Sequence, residues 1–137
     1  QKRLTKSPKL YIRDTGVLHF LAGLRAPADL ETWSRRGASF EGLVIEEITA
    51  RATDHLVRPV VAFWRTQAGA EVDLLVGEER DLKAVEIKSS SRVTHYDVAG
   101  LRRCLADLGL ARGWGVANEG AHLHPEPAIA VKRVQNS

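Results

Sequence analysis

Glu71–Ser90 reads EVDLLVGEERDLKAVEIKSS, two strand-like runs around a polar turn, and both runs carry charge at alternate positions. Successive side chains of a strand point to opposite faces. Val72, Leu74 and Val76 are therefore expected on one face, with Glu71 and Asp73 on the other. Val85 and Ile87 oppose Glu86 and Lys88 in the same way. Pairing Val76 with Lys83 across the turn puts Asp73 opposite Glu86 and Glu71 opposite Lys88. Cross-strand neighbours lie about 4.5–5.5 Å apart at Cβ, and like charges at that range destabilise a sheet. The acidic pair needs a raised pKa, a nearby cation or a bound metal ion to be tolerated. Lys88 is one such cation.

A third acid belongs to the helix expected over FEGLVIEEITARATDHL, capped by Ser39 and running to about Leu56. At about 100° per residue, Phe40, Val44, Ile45, Ile48, Ala52 and Leu56 form one apolar side. Glu41 falls near its middle, Glu46 faces water and Glu47 lies at the edge. Glutamates are seldom fully buried without a partner. If this helix packs on the charged face of the sheet, Glu41 meets the acids of the hairpin. A one-residue slip in register would undo that meeting.

The remaining elements follow from breaks and periodicity. Leu10-Tyr11-Ile12 is a short apolar run after Pro8, and Asp14-Thr15 caps a helix over Val17–Leu24. A second short helix is expected from Pro27 to Arg36, stopped at Gly37. Arg58–Thr66 is rich in β-branched and aromatic residues and reads as a strand, with a turn at Gln67–Ala70. Thr94–Leu108 is helical, with Val98, Leu101, Leu105 and Leu108 in phase. Trp114–Ala117 and Ala128–Val134 are final strands. The order of helices, three strands, a helix and two strands predicts an α/β or α+β sandwich, and no internal repeat is present.

The 137 residues are expected to form one domain. With 44% hydrophobic and 27% charged residues, the composition is that of a globular protein and excludes a disordered chain. No apolar run reaches about 18 residues and no basic-then-apolar leader is present, so neither membrane span nor signal peptide is expected. The single Cys104 rules out an internal disulfide and fits a reducing, cytoplasmic setting; in a helical pattern it reads as a small core residue. The chain has no Met, and a translated product does not begin at Gln1, so a piece of a longer protein is expected. The net charge is only +3, but basic residues clump at Lys2, Arg3, Lys6, Lys9 and Arg13, and again at Arg35-Arg36, Arg102-Arg103 and Lys132-Arg133. Such clumps attract phosphate backbones, or are ordinary solvated charge. There is no GxxxxGK[ST] run for ATP. His122 and His124 share a strand face but have no third ligand nearby, so a solvated edge is the simpler reading. Trp33, Trp64 and Trp114 read as core or interface anchors.

Glu41 on a helix, Asp73 in a strand and Glu86-Ile87-Lys88 in the next strand resemble the PD-(D/E)XK motif of restriction-endonuclease-like nucleases, although no Pro precedes Asp73. More narrowly, SPKLYIRDTGV, SFEGLVIEE, FWRT, AEVDLLV and VEIKSS resemble, over roughly Leu4–Leu108, a prokaryotic family in which an AAA+-like ATPase domain precedes a C-terminal domain of unknown function. The resemblance implies a restriction-endonuclease-like core, a mixed sheet with a central antiparallel hairpin flanked by helices, over 38–137. Residues 1–37 would then form an N-terminal helical extension. It further implies that Asp73 and Glu86, with the Ile87 carbonyl, ligate Mg²⁺ or Mn²⁺. Glu41 would be a further ligand, directly or through water. Lys88 would orient the attacking water and help deprotonate it, or stabilise transition-state charge. Arg65, Ser89 and Ser90 would touch substrate phosphate.

Two functions follow as expectations. One is a metal-dependent nuclease acting on DNA, with an ATPase domain in cis. The other is a non-catalytic module that binds nucleic acid or protein and tethers the ATPase. The plainest alternative for Asp73, Glu86 and Lys88 is a salt-bridged hairpin face in solvent, and for Arg65 a simple partnership with Glu71.

Overall fold

The computed structural model describes residues 8–90, 94, 96–118 and 129–133. In chain order the elements are α1 (Thr15–Leu21), α2 (Pro27–Thr32), α3 (Arg36–His55), β1 (Val60–Arg65), β2 (Glu71–Glu78), β3 (Asp81–Lys88), α4 (Ala99–Leu108), β4 (Gly113–Ala117) and β5 (Ile129–Arg133). The strands form one mixed sheet in the order β1-β2-β3-β4-β5. The first three strands are an antiparallel meander, and β4 and β5 add in parallel beside β3. A parallel neighbour needs a crossover, and α4 supplies it between β3 and β4.

Both faces of the sheet are covered. Val44 of α3 packs with Leu74, Val76, Val85 and Ile87, and Phe40, Ile45, Ile48 and Ala52 extend that layer. On the other face Val98, Leu101, Cys104 and Leu105 of the α4 segment meet Val72, Leu75, Ala84, Ala117 and Ile129. Cys104 is a buried core thiol, which burial pushes up to about 12. Trp64 joins the α4 layer and Trp114 the α3 layer, while the Trp33 ring meets His19 edge-on at 5.9 Å.

The sequence register of the hairpin is the observed one over its inner part: Val76 pairs with Lys83 and Leu74 with Val85. The expected faces of β2 need a correction. Val72 packs on the α4 side with Leu75, while Leu74 and Val76 pack on the α3 side. Against β1, Ala62 pairs with Leu75 but Trp64 pairs with Val72, so β2 holds one residue more than its partner between these points. Such a bulge re-aims side chains and ends regular pairing. Its extra residue falls at Asp73-Leu74, where the acid sits.

Three helix boundaries also differ. Gly37 does not stop a helix; α2 ends at Thr32 and α3 begins at Arg36. Ser39 is no cap but a buried residue within α3. Its N–H donates to the Arg35 carbonyl, and its hydroxyl lies 2.7 Å from His19 Nε2. Asp14 does cap α1, accepting from the Val17 N–H at 2.9 Å. The helical pattern from Thr94 begins as a turn and becomes α4 only at Ala99.

At Gly100, in the first turn of α4, a Cβ would collide with the Glu71 carbonyl oxygen. The missing side chain lets the helix seat directly on β2. Gly100→Val is expected to push α4 off the sheet and lower stability by about 1–3 kcal/mol. Chemical denaturation measures this, and an unchanged midpoint would show that the contact is not tight.

Candidate functional site

The bulge ends the β2–β3 ladder at Leu74–Val85. Beyond it Asp73 turns its carboxylate onto the neighbouring strand, and Oδ2 accepts the Ile87 N–H at 2.8 Å. A side chain thus satisfies a buried backbone donor that the ladder has left. Asp73 is 9% exposed and Glu86 7%. Burial raises the Asp73 pKa above its usual range, opposed by the bond from Ile87 and furthered by the field of Glu41. Glu86 is pushed up to about 7, first by burial and then by Asp73, against the pull of Lys88.

Glu86 divides its two oxygens. Oε1 lies 2.8 Å from Lys88 Nζ, whereas Oε2 is buried without a hydrogen-bond partner. An unpartnered buried carboxylate oxygen is costly. Lys88 is half-buried. Desolvation alone would lower its pKa, but the bond to Glu86 prevails and holds the ammonium above its ordinary value.

The expected pairing of Glu71 with Lys88 does not form, because the ladder has already ended. Glu71 instead accepts from Arg65 Nε at 2.7 Å and forms an ion pair with Lys9. Arg65 is therefore the partner of Glu71. Lys9 is the residue that sequence reasoning missed. Its Nζ sits 3.2 Å from Glu41 Oε1 and 3.4 Å from Asp73 Oδ1, besides its contact with Glu71. Desolvation lowers the Lys9 pKa, but the bond to Glu71 and the fields of Glu41 and Asp73 outweigh it and raise the pKa overall. Glu41 also accepts from the Tyr11 hydroxyl at 2.6 Å. Burial and that bond push Tyr11 up to about 12.

Glu41 and Asp73 do converge, but on an ammonium. Glu46, expected in water, takes both Nε and a terminal nitrogen of Arg13, at 2.8 and 2.6 Å. The signal for all three contacts lies in Lys9-Leu10-Tyr11-Ile12-Arg13, where polar and apolar residues alternate as in an extended segment lying on a surface. Taken as an apolar run plus a basic clump, that alternation is invisible. Ser89 and Ser90 are exposed at the end of β3. A Cβ on Gly37 would stand 3.2 Å from Ser89 Oγ, which places that serine against the start of α3. His122 and His124 lie outside the described residues.

Asp73, Glu86 and a carbonyl such as that of Ile87 are hard oxygen donors of the kind that suit Mg²⁺ or Mn²⁺. The unpartnered Glu86 Oε2 fits that use. As the side chains stand, no group of three or more His, Cys, Asp and Glu among the described residues is arranged to hold a metal ion. Lys9 fills the space between Glu41, Glu71 and Asp73.

These features define a mixed α/β domain with a buried acidic pair at the end of a hairpin and a lysine on the same strand. The chain belongs to the family described as Domain of unknown function (DUF4143), whose model matches residues 36–131. It is 41% identical over 125 residues to uncharacterized proteins of Mycobacterium bovis and Mycobacterium tuberculosis, covering 90% of this chain and 26% of each relative. The chain thus spans about a quarter of the length of these relatives. No solved structure matches it. Among the described residues, no helix is long and apolar enough to cross a membrane.

Proposed function

We infer that this domain carries a metal-dependent phosphodiesterase centre of the PD-(D/E)XK kind, acting on DNA in the cytoplasm. The observation that carries the reading is Glu86. It is a buried carboxylate beside Asp73, with a raised pKa, one oxygen on Lys88 and the other without a partner. A strongly perturbed acid beside a specific charge partner is a candidate for a functional site, because ion binding and catalysis call for such shifts. The order α3-β1-β2-β3-α4-β4, an antiparallel meander followed by a parallel strand, supports a restriction-endonuclease-like core. Domains of this family typically stand C-terminal to AAA ATPase domains, which supports an ATPase in cis.

In this reading Asp73 and Glu86, with the Ile87 carbonyl, hold Mg²⁺ or Mn²⁺, and Glu41 stands behind them. Such an ion, when bound, supplies a Lewis acid for the phosphoryl oxygens and a more acidic water. Lys88 presents an ammonium at the same edge, where negative charge grows during phosphodiester cleavage. Ser89 and Ser90 line the rim as hydroxyl donors to phosphate, and Arg65 acts through Glu71. Titrating the chain with Mn²⁺ by calorimetry tests the centre directly. Wild type is expected to bind, and Asp73→Asn to weaken binding at least about tenfold. Equal heats from both proteins would remove these acids from any metal site.

A second reading is favoured by one observation: Lys9 and Lys88 between them give each acid of the cluster a cation. The site is then a closed ionic network in a non-catalytic module that tethers an ATPase. Such a module has no reason to take up Mn²⁺ at Asp73.

A further inference from the structure

We propose that Lys9 is a built-in occupant of the cation site, seated there by the extended strap 8–13, and that a divalent ion binds only by displacing it. The inference rests on the metal reading of Asp73 and Glu86.

Lys9 and a metal ion would need the same space. Lys9 Nζ lies within 3.4 Å of both Glu41 Oε1 and Asp73 Oδ1. A Mg²⁺ or Mn²⁺ ion on Asp73 would sit roughly 2.0–2.2 Å from a ligand oxygen, so the ammonium and the ion would compete for one carboxylate. Two cations at that separation, in a site shielded from water, repel strongly.

Charge points the same way. Glu41, Glu71 and Asp73 meet at Lys9, and Arg65 also takes Glu71. Lifting Lys9 leaves Glu41 and Asp73 without that cation, and a divalent ion on Asp73 returns the positive charge that the ammonium withdrew.

The strap is held mainly at its polar residues. Lys9 and Tyr11 reach inward to Glu41, Glu71 and Asp73, and Arg13 pairs with Glu46 at the surface. Leu10 and Ile12 between them point outward, 96% and 43% exposed. The strap is neither helix nor strand and buries little apolar surface, so polar contacts hold it. Segments with few buried apolar contacts open at low free energy. A site available only while the strap is lifted has an apparent affinity reduced by the fraction of molecules in that state.

Lys9→Met keeps the stem and removes the charge. Calorimetric titration with Mn²⁺ is expected to show binding at least about tenfold tighter in Lys9→Met than in wild type, with Lys9→Arg remaining weak. A second readout needs no variant. Mn²⁺ is expected to speed acylation of Lys9 by an amine-directed reagent several-fold, followed by mass spectrometry of the Lys9 peptide. If both proteins bind Mn²⁺ equally, or Lys9→Met binds more weakly, the strap does not compete and the proposal falls while the metal site stands. An acylation rate at Lys9 that Mn²⁺ leaves unchanged or lowers overturns it in the same way. If neither protein binds Mn²⁺, the metal reading itself fails and takes this one with it.

Discussion

Lys88→Met is expected to lower Mn²⁺-dependent nicking of plasmid DNA at least about 100-fold, the usual scale for removing one preorganised charge from a transition-state site. Lys88 keeps its pKa above the ordinary lysine value because Glu86 Oε1, 2.8 Å away, outweighs the desolvation that would lower it. An amine so held is charged at neutral pH, which makes it a poor general base and a good electrostatic donor. Of the two roles the resemblance implies for this lysine, stabilising developing negative charge is the better supported. Met retains most of the side-chain volume, so far-ultraviolet circular dichroism should match wild type. Nicking by the variant at the wild-type rate would exclude Lys88 from catalysis. Absence of nicking from both proteins would favour the tethering module.

Glu86→Gln is expected to make the metal-free domain more stable above neutral pH while weakening its grip on Mn²⁺. In the folded protein Glu86 titrates at about 7, raised from an ordinary value of 4.5 by burial and by the neighbouring Asp73. A carboxyl whose folded pKa lies above its unfolded one favours folding while protonated. That contribution is complete below about pH 4.5 and is lost progressively as pH rises to about 7. The loss is on the order of 2–3 kcal/mol, and Asp73, raised in the same direction, adds to it. Gln carries no charge to desolvate. Urea denaturation at pH 5 and pH 8 should show the variant gaining on wild type by this amount at the higher pH. The same advantage at both pH values would mean that Glu86 is not strained by its charge. Strain of this sort at a candidate ligand is what a site built for a cation would display when no cation is bound.

How much of this is legible in the sequence differs from residue to residue. Glu86 and Lys88 could be placed from alternation alone, and the Val76–Lys83 register followed from the turn. Glu41 stood out because an acid interrupts an apolar helix face. Asp73 was located correctly but for an incomplete reason. Regular alternation puts it opposite Glu86, whereas a bulge delivers it to the Ile87 N–H. Bulges insert one residue against a partner strand, and nothing in β2 alone records what β1 will do. The boundary at Gly37 failed because glycine is a frequent helix stop but tolerable inside a long helix held by packing.

By itself, the sequence determined the elements, the apolar faces of α3 and α4, the hairpin register as far as Leu74–Val85 and the presence of acids near one another. Those properties depend on periodicity within a few residues. Tertiary structure alone decided that Lys9 and Tyr11 reach Glu41, that Lys9 also reaches Asp73, and that Arg65 rather than Lys88 takes Glu71. Ion pairs across thirty-two and sixty-four residues leave no local periodicity, because the attraction depends on distance in space and on burial, which only the packed sheet and its helices set.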